Sequence, residues 1–177
     1  MSDPDFLQRV RDERRLSQQL MCVIPGFRGY KEREMRRESD KLLRQTIYLR
    51  MREMLTDLRG SYRDFVNSGA EQGVETFERA IQKSDRIAER IDHAPHGFSG
   101  FYDSIKIREE ELDMLLRFDA TLVDITECLK SKVSALQEAV NGRDVEKAVN
   151  MVRDLERDLD KLDDTLSHRT DEILGVK

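Results

Sequence analysis

The sequence predicts an all-α protein, an elongated antiparallel bundle of about five helices ending in a coiled-coil-like hairpin. Three observations carry that prediction. Apolar residues recur at steps of three and four over most of the chain, the spacing of one helix face. Hydrophobic and charged residues each make up 38 % of the 177 residues, with three Pro and no Trp. Disordered chains can be as charged, but they lack that regular spacing. Finally, the apolar runs are parted by short Gly- or Pro-bearing breaks such as Ile24-Pro25-Gly26 and Asn141-Gly142.

The first helix is expected from Pro4, whose missing N–H costs nothing in a first turn, to about Cys22. Pro25 then keeps Ile24 out of helical geometry and stops it. A second helix spans about Lys31 to Asn67, with an apolar line of Leu43, Ile47, Met51, Met54, Leu58, Tyr62 and Phe65. The line passes Gly60 in phase, so that glycine is tolerated rather than a break. Glu32–Arg36 and Asp40–Arg44 are i,i+4 pairs assigned to the outer face.

Ser68 and Glu71 fit a capping box opening a third helix, whose apolar line is Val74, Phe77, Ile81, Ser84, Ala88 and Ile91. The short turn makes the second and third helices antiparallel neighbours. The pattern lapses from His93 to about Ser104, around Pro95, Gly97 and Gly100. Asp103 or Ser104 then caps a fourth helix with the seam Leu112, Leu115, Asp119, Leu122, Thr126, Leu129, Val133, Leu136, Val140. Asn141-Gly142 ends it, and Asp144 caps the last helix. That helix carries Val145, Ala148, Val152, Leu155, Leu159, Leu162, Leu166, Arg169 and Ile173, eight of nine apolar. Two matched seams joined by Asn-Gly read as an antiparallel hairpin, with the mate of each seam in the same chain or in a second copy. The organisation expected is N-terminal helices over 1–92 (hairpin 31–92), a Gly/aromatic loop over 93–104 and a C-terminal hairpin over 105–177, as one continuous unit.

Asp119 and Thr126 interrupt the fourth seam. A buried unpaired carboxylate costs several kcal/mol, so the seam is expected to rotate toward Phe118 and Ile125 and leave Asp119 partly exposed.

Composition and motifs exclude more functions than they suggest. The N-terminus has no apolar h-region, and the longest uncharged run, Leu16–Phe27, is twelve residues, too short to span a membrane. Cys22 and Cys128 lack CxxC spacing and lie on apolar flanks, as small hydrophobes do, which makes the cytoplasm the expected location. Neither a nucleophile elbow nor a Gly-rich phosphate loop occurs. The three histidines, His93, His96 and His168, lack the Glu-x-x-His spacing of a bundle di-iron site. No cofactor, metal ligand set or catalytic group is assigned.

Two loops share the pattern G-F-x-G-aromatic and hold five of the eleven Phe and Tyr residues. From them Phe27, Arg28, Tyr30, Phe98, Phe101 and Tyr102 form a candidate interaction surface, unless they seal the end of the bundle as a small core of their own. Charge is uneven: residues 1–63 hold 15 Lys/Arg against 10 Asp/Glu, and the remainder 16 against 26. The leading expectation is a non-enzymatic interaction, scaffold or regulatory protein, with a protein partner or self-association as a homo-oligomer. An alternative is polyanion binding, to nucleic acid or an anionic membrane surface, through the basic segment 28–44. A weaker one is a helical-bundle enzyme or metal carrier using His93, His96, Asp103 and Glu109 to Glu111.

Overall fold

A computed structural model describes residues 4–28, 33–93 and 109–174. Among these, the chain forms five helices and no strand: α1 (Pro4–Val23), α2 (Arg33–Asn67), α3 (Val74–Asp92), α4 (Glu109–Asn141) and α5 (Val145–Leu174). The all-α bundle expected from the apolar spacing is the fold observed. Gly60 lies inside α2 without interrupting it.

The residues group into two compact units, one of 1–46, 95–123 and 165–177 and the other of 47–94 and 124–164. Three helices contribute to both. In the first unit, Leu20, Ile24 and Phe27 join Leu43, Leu115, Leu116 and Val123 in the core. Gly26 makes the turn after α1 with φ +85°, a left-handed conformation that favours glycine, 3.4 Å from Leu42 at the point a Cβ would occupy.

The second unit is a four-helix bundle whose order is set by ion pairs. Arg52 and Arg59 of α2 reach Asp85 of α3, and the Tyr62 hydroxyl donates to Glu78 at 2.8 Å. Sequence positions thus rise along one helix as they fall along the other, so α2 and α3 are antiparallel as expected. Arg50–Glu127 and Lys130–Glu53 instead join α2 and α4 at a constant separation of 77 positions, which makes these neighbours parallel. Arg79–Glu156 and Lys83–Asp160 do the same for α3 and α5, again 77 apart. Lys132–Asp158 pairs antiparallel α4 and α5. The order around the bundle is therefore α2, α3, α5, α4.

The seams point inward. Ile47, Met51, Met54, Leu58 and Phe65 of α2, Leu129, Val133, Leu136 and Val140 of α4, and Val152, Leu155, Leu159 and Leu162 of α5 are all buried. Tyr62 is only partly buried, its ring 6.0 Å from Phe77 and its hydroxyl outside.

Four local expectations are corrected. The Ser68 side chain donates to the Phe65 carbonyl at 2.7 Å instead of capping, and α3 begins later, after Gly73 at φ +103°. A Cβ on Gly73 would collide with the Val149 side chain, so the approach of α5 selects glycine there. Cys22 and Cys128 are exposed rather than on apolar flanks. Asp119 is fully buried, and so is Thr126; the seam does not rotate away from them. Asp40, assigned to the outer face, is buried as well. The Asp144 cap is present, its Oδ1 accepting the Lys147 N–H at 3.1 Å.

Candidate functional site

Among the described residues, each unit holds a charged array that its helices bring together. In the first unit the array is internal. Asp119 is 0 %, Asp40 3 % and Arg169 4 % exposed. The Arg169 Nε–H donates to Asp119 Oδ1 at 2.6 Å, and Nη2 donates to Asp40 Oδ1 at 2.7 Å. The second oxygen of Asp40 accepts from Arg44 Nε at 3.0 Å. One guanidinium from α5 thus ties a carboxylate of α2 to a carboxylate of α4. Each aspartate is paired with an arginine, which meets the condition under which buried charge is tolerated. Planar guanidinium groups suit this role because they offer several donors in a fixed fork.

In the second unit the array is external. An open groove of about 650 Å³ runs between α3 and α5. From α3 it is lined by Arg79, Gln82, Lys83 and Arg86, and from α5 by Arg153, Glu156, Arg157 and Asp160. Five cations face two anions. Both anions are engaged across the groove, Glu156 by Arg79 at 3.3 Å and Asp160 by Lys83 at 2.6 Å. Arg157 pairs with Asp154 on its own helix. Arg153 donates to the Asn150 side-chain oxygen at 3.4 Å, and Arg86 makes no ion pair among the described residues.

On the α4 side of α5, Asp158 is buried and bound by Lys132 and Lys161. Burial alone pushes its carboxyl upward, but the hydrogen bonds from those two lysines outweigh it and hold the carboxyl below its ordinary range.

Of the six candidate surface residues, the described ones part company. Phe27 is 4 % exposed and belongs to the core of the first unit, its N–H bonded to the Ile24 carbonyl at 3.1 Å, so its ring is not on the surface. Arg28 is exposed. Tyr30, Phe98, Phe101 and Tyr102 lie outside the described residues. The basic segment 28–44 is also less available than its composition suggests, because Arg44 is committed to buried Asp40. His93 is exposed with Nδ1 at 3.0 Å from the Glu89 carbonyl. His96, Asp103 and the side chains of Glu109 to Glu111 lie outside the described residues. Among the described residues no group of three His, Cys, Asp or Glu side chains could hold a metal ion, and no helix is long and apolar enough to cross a membrane.

Comparison with protein-family models, with curated proteins and with solved structures returned no match.

The internal array carried a sequence signal. Asp119 and Arg169 are charged residues at seam positions, and Asp40 continues the α2 apolar line one step before Leu43. The groove carried a weaker one, since its eight residues are divided between two helices that sequence spacing does not pair.

Proposed function

We propose that this chain is a non-enzymatic helical interaction protein that presents a charged surface to a protein partner. One observation supports the reading above others: the open groove between α3 and α5 has more cations than its own carboxylates neutralise. Exposed charge in a concave surface favours encounter and partner choice. The internal array, by contrast, is spent on holding three helices together. Most described seam residues of α4 and α5 are buried within the units, which favours another surface for any self-association.

Affinity capture from a native extract with the full-length chain tests the reading. A protein should be retained in near-equal molar amount and should bind back to the purified chain. Retention no greater than on a charge-matched helical control removes the reading. Light scattering at several concentrations reports on self-association, a constant mass near 20.7 kDa excluding it.

A further inference from the structure

We propose that the α3–α5 groove docks an acidic helical segment of a partner protein, with Arg86, Arg153 and Arg157 receiving its carboxylates. This rests on the reading of the chain as an interaction protein and names the chemistry of its partner.

The walls of the groove differ. On α5 the charges alternate: Arg153 positive, Glu156 negative, Arg157 positive, Asp160 negative. On α3, Arg79 and Lys83 are used to neutralise those two acids. Arg86 and Arg153 retain no carboxylate partner among the described residues, and the Arg157 side chain is 73 % exposed beside its own-helix partner Asp154. Two guanidinium groups, Arg86 and Arg153, are thus left over, and exposed Arg157 can exchange Asp154 for an incoming carboxylate, each group offering paired N–H donors.

Spacing points to a helix. Arg153 and Arg157 are one turn apart, about 6 Å along the axis. Two Asp or Glu residues at i and i+4 on a partner helix have the same separation, so a single acidic face matches both arginines. A nucleic acid fits less well. Its backbone is uniformly negative and would press phosphates against Glu156 and Asp160, whereas a protein segment can leave those positions neutral or basic.

The test is fluorescence anisotropy with a labelled helical peptide bearing four Glu residues at i,i+4 spacing, measured in 50 mM and 300 mM NaCl. Wild type should bind at the lower salt and weaken at the higher. Arg86→Glu with Arg153→Glu should lower affinity about tenfold or more, while exposed Arg63→Glu with Arg117→Glu, the same change in net charge, should lower it less than about twofold. Far-UV circular dichroism checks folding, and the milder pair Arg86→Gln with Arg157→Gln replaces any variant that loses helicity. No peptide binding at 50 mM NaCl, an equal loss in both charge-reversed pairs, or tighter binding of a single-stranded oligonucleotide of equal charge overturns the proposal. A protein captured equally by wild type and by the groove variant also overturns it, yet leaves the interaction reading standing. Failure of wild type to capture any protein removes that reading instead.

Discussion

Arg169 is held by carboxylates from two different helices, and removing it takes the same guanidinium from both of them. Asp40 keeps Arg44 as a partner, but Asp119 loses the Nε–H it accepts at 2.6 Å. Breaking a buried pair from one side costs about 3–5 kcal/mol, because the charge that stays in the core loses the guanidinium that compensated its desolvation. Arg169→Met should therefore lower the urea-unfolding free energy by about that amount. Adding Asp119→Leu should recover much of the loss, since the carboxylate that faced Arg169 is then absent and the two side chains are apolar. If the double variant is no more stable than the single one, the array does not owe its cohesion to this pair.

Helix geometry makes two glycines behave oppositely at the scale of the element. Gly60 is in the middle of α2, and a Cβ there meets nothing within 4 Å. Gly60→Ala should stabilise by up to about 1 kcal/mol, the difference in helix propensity. Gly73, before α3, has φ +103°, and a Cβ would collide with Val149 of α5. Gly73→Ala should destabilise by at least about 1 kcal/mol from the left-handed backbone alone, before the collision is added. Thermal unfolding of the two variants beside wild type checks both signs. A fall in stability for Gly60→Ala would mean that α2 does not continue through that position.

Across the whole molecule, charged pairs that bind helices together set how stability depends on pH. Glu53 is held below its ordinary 4.5 by the hydrogen bond and charge of Lys130, and Asp158 below its ordinary 3.8 by Lys132 and Lys161 against the effect of burial. A carboxyl lowered on folding contributes fully above its unfolded value and loses that contribution as pH falls through the lowered one. Lys130 and Lys132 are raised above 10.5 by hydrogen bonds to Glu53 and Asp158, and Tyr62 above 10.0 by its bond to Glu78. These groups contribute fully below their unfolded values and lose the contribution as pH rises through the raised ones. The urea midpoint should be flat from about pH 5 to about pH 9 and fall on both sides. Asp158→Asn should shrink both limbs, because it removes the lowered carboxyl and the partner that raises Lys132. An unchanged pH profile in that variant would show that the pair contributes nothing to the dependence.

Periodicity along the chain determined which segments are helical, which face of α2 to α5 turns inward, and where Pro25, Gly142 and Asp144 end or begin helices. Those are properties of neighbours three and four positions apart, and a sequence displays them directly. The buried charges were half legible. Asp119 and Arg169 visibly break their seams, but they are 50 positions apart and nothing local pairs them. Asp40 looks like half of a surface pair with Arg44 until α5 closes over it. Tertiary packing likewise decided that α2 and α4 are parallel neighbours, that Gly73 must admit Val149, and that cations from α3 and α5 line one groove. Each of these depends on which helix faces which, a choice made by side-chain fit and charge matching between segments far apart in the chain.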